Sequence, residues 1–173
     1  DSSTRRRLRR IARCSRRLWG EFKNLLPYSP AVHAHVAPSK RRAAKGAAAV
    51  GAGLAIDGRP LAYLAGATAI LGHCYPATRG LNGGKGVAAG GGAFAVLTPL
   101  VFVILVPTWV VVSKVTKTAA LASLIVLCAI PVGVWVTGRD LWELPASIGI
   151  ALLIALRHAS NIRRMRSGSE LSL

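Results

Sequence analysis

From Val87 to Val112 the chain reads "VAAGGGAFAVLTPLVFVILVPTWVVV", 26 residues without a charge. Two further apolar runs follow, "TAALASLIVLCAIPVGVWVT" (118–137) and "LWELPASIGIALLIALRH" (141–158). A hydrocarbon slab about 30 Å thick is spanned by about 20 apolar residues in a helix. Lipid offers backbone N–H and C=O groups no partner, so the spanning form must satisfy them internally, as a helix does. Two shorter stretches precede these runs, 43–56 and 61–76, joined by the tight turn "DGRP" (57–60). Both are rich in Ala and Gly, the residues that let helices approach closely in lipid. The expected fold is therefore an all-α integral membrane protein, a polytopic helical bundle with about 5–6 membrane segments, some of them short.

Charge decides whether 87–112 crosses once or twice. The net charge of +17 suggests nucleic acid at first, but 13 of the 23 Lys and Arg residues lie in the first 45 positions. Most of the others punctuate apolar runs, as in the cytoplasmic loops of membrane proteins, so no nucleic-acid partner is expected. A single crossing would put Lys114, Lys117 and the arginines at 157–166 on opposite sides from the other basic clusters. A pair of limbs bent at Thr98-Pro99 returns every cluster to one side, with "GRDLWE" (138–143) on the other. The first limb, 87–98, is then a short or half-inserted helix shielded by protein. Residues 1–42 form a basic arm, either disordered or lying on the membrane surface as a helix through Leu8, Ile11, Ser15 and Leu18. Residues 43–166 form the membrane domain and 167–173 a tail. The chain starts at Asp1 rather than Met, so its original N-terminus is expected to be missing or processed. The Arg-rich opening has no apolar stretch behind it and is not a complete signal peptide. Three cysteines, Cys14, Cys74 and Cys128, have neither ligand nor framework spacing, and no metal or other cofactor is expected.

Two polar sets fall on the basic side. In "RGLNGGKG" (79–86), Gly83, Gly84 and Gly86 permit positive φ, so that successive N–H groups can form an anion nest. Lys85 adds a cation, and a helix N-terminus follows. The alternative is a plain flexible connector, against which His73 and Asn82 stand as flanking polar groups. The loop is not a Walker sequence, since no Ser or Thr follows Lys85. In "RHASNIRR" (157–164), His158 and Asn161 share a helix face, with Arg157 and Arg164 near it. The set can hold a phosphate or orient a hydroxyl, and the alternative for its arginines is simple interfacial anchoring. Asp57, Asp140 and Glu143 fall on the opposite side, which leaves no carboxylate pair and no Ser-His-Asp set. Chemistry here must act on an already reactive substrate through basic groups rather than through a protein nucleophile.

"GHCYPATRGLNGGKGVA" (72–88) resembles the second motif of the PlsY-type glycerol-3-phosphate acyltransferases, written GHxYPxxxxFxGGKGVAT. "LLIALRHASNIRRMRSGSE" resembles their C-terminal motif, RHxxNIxRLxxGxE, and "TKTAALAS" (116–123) stands where the family has TRYVSLAS. The resemblance implies a multi-pass enzyme of the bacterial plasma membrane with its site facing the cytoplasm. It implies transfer of a fatty acyl group from acyl-phosphate to glycerol 3-phosphate, giving lysophosphatidate for phospholipid synthesis. It further implies Lys85, His158 and Asn161 as catalytic residues and Gly83, Gly84 and Gly86 as phosphate contacts; His73, Asn82 and Arg164, which flank these sets, and Ser123, kept from the intervening motif, complete the expected substrate contacts. Membrane lipid would be the surrounding partner. The family usually has seven spans, one more than the six crossings read here. Its first motif, resembling GSGNPGATNVLR, has no counterpart in "EFKNLLPYSPAVHAHVAPSKRR" (21–42). The alternative function is a catalytically impaired or non-catalytic protein on the same scaffold that binds phosphorylated lipid precursors.

Overall fold

A computed structural model describes residues 30–169. By its contacts the chain divides between Pro38 and Ser39, and the fold described is that of the second unit. The surface helix expected through Leu8, Ile11, Ser15 and Leu18 lies outside the described residues.

Helix α1 is assigned to Pro30–Cys74 but is two limbs, broken at Asp57 (φ −147°, ψ 29°) and Gly58 (φ 70°, ψ −152°). Gly58 takes the left-handed conformation that a side chain would oppose, so "DGRP" makes the turn its composition predicts. The limbs fold back on each other. A Cβ on Gly53 would lie 2.6 Å from the Ala62 Cα, and one on Gly66 would lie 2.9 Å from a Val50 methyl. The basic arm was read as residues 1–42; within the described residues helix runs from Pro30, and the compact unit begins at Ser39. Proline is pre-organised for a first helical position, and the Ala, Lys and Arg that follow favour helix.

Helix α2 (Val87–Leu97) packs against the first limb of α1 backbone to backbone. A Cβ on Gly46 would strike the Ala89 carbonyl, and one on Gly92 would strike that of Ala43. The main chains are therefore as close as helices come, which only small residues permit. At Thr98 (φ −139°, ψ 68°) the helix breaks, and α3 (Pro99–Thr116) starts with proline at its first position. This is the bend expected at Thr98-Pro99, and it has two causes. Proline disfavours the α conformation in the residue before it, and it offers no N–H to continue the ladder. A Cβ on Gly91 would lie 3.9 Å from the Phe102 ring, so α3 returns alongside α2. Lys117 (φ 54°) turns the chain into α4 (Ala119–Val136), which runs antiparallel to α3, with Val101 against Gly133 and Trp109 against Ser123. Helix α5 (Glu143–Leu156) and helix α6 (Ala159–Arg166) follow, bent by 59°.

Among the described residues, α3 and α4 are long and apolar enough to cross a membrane alone, and α5 with α6 makes a third candidate. The other limbs are short, and they bury Val50, Ile70, Ala93, Phe94 and Leu97 in a common core with Ile150 and Ile154 of α5. The result is a helical membrane protein with two distinct ends. One gathers the turns at 57–58, 98–99 and 138–142, and the other gathers 74–86, 114–118 and 157–158.

Candidate functional site

The glycine loop closes over the end of α1. Pro76 leads into a single 3-10 turn, Ala77–Arg79, and Gly80 (φ 55°) and Leu81 (φ 64°) reverse the chain. The Leu81 N–H donates to the Pro76 carbonyl (3.1 Å) and the Gly84 N–H to that of His73 (3.2 Å). Gly83 and Gly84 are not glycines for the reason expected. Only Gly86 (φ 85°) among the three has positive φ. Gly83 sits where a Cβ would collide with the His73 and Cys74 carbonyls, and Gly84 sits where it would enter the His73 ring. These two are required by close approach, so the picture of a three-glycine nest is corrected to one left-handed glycine after a pair pressed onto α1. His73 is the surface they press on. Cys74 is fully buried beneath them, with its Sγ 3.0 Å from the place of a Gly86 Cβ.

Gly86 is also the N-cap of α2 and brings no capping side chain. The first N–H groups of that helix lack intrahelical partners, and they lie at the positive end of its dipole. Lys85 and Asn82 are exposed beside them. This is the composition of an anion site: backbone donors, a dipole and a cation.

The C-terminal set arrives at the same place. A Cβ on Gly86 would lie 3.3 Å from Ile154, one turn before His158, so α5 ends against the loop. Arg157 makes the join. Its Nη2 donates to the Gly83 carbonyl (3.0 Å) and its Nε to the Gly84 carbonyl (3.3 Å), while the guanidinium lies 4.8 Å from the centre of the Tyr75 ring. His158 and Asn161 are buried, at 1% and 2% exposure. The His158 Nδ1 stands 2.8 Å from the Ile154 carbonyl. A carbonyl can only accept, so the proton of the neutral ring is on Nδ1 and the acceptor lone pair is on Nε2. Arg164 lies half-buried on α6. Its last turn closes through Ser167, whose hydroxyl donates to the Arg163 carbonyl (3.2 Å) or the Arg164 carbonyl (3.1 Å).

Ser123 is the residue not drawn into this cluster by its bonds. Its hydroxyl donates to the Ala119 carbonyl (2.8 Å) and accepts from the Trp109 Nε1 (3.0 Å), tying α4 to α3. Sequence reasoning placed Arg157 near the His158 face but missed its fork on the loop, and it missed Tyr75, because their partners are backbone carbonyls and a ring far along the chain.

Residues 41–168 match the family model described as glycerol-3-phosphate acyltransferase. The chain belongs to that family. A glycerol-3-phosphate acyltransferase of Hyphomonas neptunium is 35% identical over 117 residues, covering 66% of this chain and 56% of the relative. One from a Jannaschia species is 36% identical over 132 residues, covering 74% and 63%. The solved PlsY, an integral membrane glycerol 3-phosphate acyltransferase in its glycerol 3-phosphate form, superposes with a TM-score of 0.63 at 30% identity. That match covers 65% of this chain and 56% of PlsY. PlsY in its lysophosphatidic acid form gives the same score. The chain thus spans a little over half the length of the family members it matches, and the stretch matched by the family model contains the glycine loop, Arg157, His158 and Asn161.

Proposed function

We propose that the chain transfers a fatty acyl group from acyl-phosphate to glycerol 3-phosphate, releasing lysophosphatidate and inorganic phosphate. The observation that carries this reading is the Arg157 fork on the Gly83 and Gly84 carbonyls, which holds the anion-binding loop and the His158–Asn161 pair at one end of a membrane bundle. Both substrates bear phosphate, and the site has Lys85, a helix N-terminus and no described carboxylate nearby. In the step, the glycerol hydroxyl oxygen bonds to the acyl carbon and the bond from that carbon to the phosphate oxygen breaks. Phosphate leaves with the electron pair, and the hydroxyl proton ends on it. Lys85 and the α2 amides offset the phosphate charge. His158, through Nε2, and Asn161 orient the acceptor hydroxyl. Because the anhydride is already activated, no covalent enzyme intermediate is needed.

The basic residues Lys40–Arg42, Lys45, Lys85, Lys114, Lys117, Arg157, Arg163, Arg164 and Arg166 share the site's end of the bundle. Asp57, Asp140 and Glu143 share the other with two basic residues, Arg59 and Arg139. This supports a cytoplasmic site in a bacterial plasma membrane. Cysteine placed at Ser167 should label from the cytoplasm and at Asp140 from outside. The reverse result refutes the orientation.

Activity is tested on protein in lipid nanodiscs by phosphate release from palmitoyl-phosphate with and without glycerol 3-phosphate, beside palmitoyl-CoA as donor. Release that requires glycerol 3-phosphate and yields lysophosphatidate supports the proposal, whereas acylation from the thioester alone removes the acyl-phosphate assignment. The second reading, binding without turnover, draws on the missing counterpart of the family's first motif in residues 21–42. Saturable glycerol 3-phosphate binding with no phosphate release would establish it.

A further inference from the structure

We infer that Arg157 is a positioning residue of the phosphate site: it braces the glycine loop against the C-terminal helix and leaves the substrate to Lys85, His158 and Asn161. The inference rests on the proposed function for what the site binds, but the brace itself can be measured without turnover.

The argument is one of peptide planes. A trans peptide points its C=O and N–H in opposite directions. The Gly83–Gly84 plane is held at both ends, its carbonyl by the Arg157 Nη2 (3.0 Å) and its N–H by the His73 carbonyl (3.2 Å). The next plane has its Gly84 carbonyl on the Arg157 Nε (3.3 Å), so the Lys85 N–H must point away from the arginine. Two successive glycines are the most conformationally free pair a chain can contain, and this bracing fixes both of their planes. Arg157 is also bonded directly to His158, whose ring is anchored on the Ile154 carbonyl. The loop and the histidine are thereby set in register through one residue. An arginine that recognised phosphate would offer its fork to the anion. Here Nε and Nη2 both serve loop carbonyls, and the guanidinium is backed by Tyr75 at 4.8 Å.

If the brace is removed, the loop should leave its binding form for part of the time. Substrate then binds with an affinity reduced by the fraction of competent loop, yet at saturation it draws the loop back. The expected signature is a raised KM with kcat preserved. Loss of two charge-assisted bonds predicts a rise of about 100-fold or more in KM for glycerol 3-phosphate in Arg157→Ala, with kcat within about 3-fold. Cys74 supplies the independent readout, because it is fully buried under Gly86. In a Cys14→Ser/Cys128→Ser background, maleimide should label Cys74 slowly in the parent and at least about 10-fold faster in Arg157→Ala. Saturating glycerol 3-phosphate should restore protection. Arg157→Gln keeps a donor where Nε stands and should be intermediate in both measurements; it decides the matter alone if Arg157→Ala is not monodisperse in nanodiscs. Cys74 remaining as protected as in the parent overturns the inference, and so does a fall in kcat at saturation with KM unchanged. Opening of Cys74 that glycerol 3-phosphate reverses, in a protein without turnover, upholds the brace and sinks the catalytic reading instead.

Discussion

The two ends of the bundle handle charge in opposite ways. At the end away from the site, Glu143 is 1% exposed and accepts two bonds from Arg59 and one from Tyr63 (3.0 Å), while the Arg59 Nη2 also donates to the Leu97 carbonyl (3.2 Å). Trp142 packs edge-on against Tyr63 with centroids 5.3 Å apart. One carboxylate and one guanidinium thus join the α1 turn, the end of α2 and the start of α5. At the site end the described residues carry cations and no carboxylate, and the arginine that joins the elements spends its donors on backbone carbonyls. The first arrangement is closed: each charge has a protein counter-charge, which serves stability. At the second, no described carboxylate stands among the cations, which is the arrangement the proposed phosphate site calls for.

Substitutions at the two ends should therefore separate activity from stability, and the largest expected effect lies at Lys85. Lys85→Ala should lower kcat/KM by about 100- to 1,000-fold, in line with loss of a transition-state charge partner, with no change in thermal midpoint. A wild-type rate would return the glycine loop to a plain connector. His158→Ala and Asn161→Ala come next, each costing about 10- to 150-fold in kcat/KM through a lost bond to the acceptor, while the protein still inserts.

Glu143→Ala should do the reverse. It leaves Arg59 and Tyr63 facing a partly buried void, a cost of about 2–3 kcal/mol. The thermal midpoint in detergent should fall while the folded fraction keeps its kcat/KM. If activity per folded molecule fell as far as in His158→Ala, the division of labour between the ends would be wrong. The smallest effect is expected at Arg166, exposed at the end of α6. Arg166→Ala should change kcat/KM by less than about 3-fold, as for an interfacial anchor. Equal, small losses at His158, Asn161 and Arg166 would reduce the C-terminal helix to an anchor.

What could be read from the sequence follows the range of the interaction. The turn at Asp57–Gly58 and the break at Thr98-Pro99 are local, written in the conformational limits of Gly and Pro, and they are found where expected. The small-residue packing of 43–56 was legible in kind, though not that Gly46 and Gly92 meet the carbonyls of Ala89 and Ala43. The contacts that define each end were not legible. Arg59 and Glu143 are 84 positions apart, and Arg157 is 74 and 73 from Gly83 and Gly84. No periodicity links such residues; only the folded bundle does. The bond between the Ser123 hydroxyl and Trp109, which ties α4 to α3, was likewise beyond what its motif position could show. Gly83 and Gly84 were read as glycines that permit positive φ, whereas neither has it and α1 crowds both.

The brevity of α2 bears on the bilayer itself. Eleven residues rise about 16 Å, roughly half the thickness of a hydrocarbon core. At least one of the turns that bound α2 must therefore lie below the lipid headgroups. The Thr98 turn has its end carbonyl covered by Arg59, whereas the glycine loop exposes the polar side chains of Asn82 and Lys85. Hydrophobic mismatch of this size is met by local thinning of the membrane and by water drawn down to the polar side chains. For the proposed transfer, a water-soluble acceptor can then descend to the level at which acyl chains begin, and a lipid donor need not be lifted out to meet it.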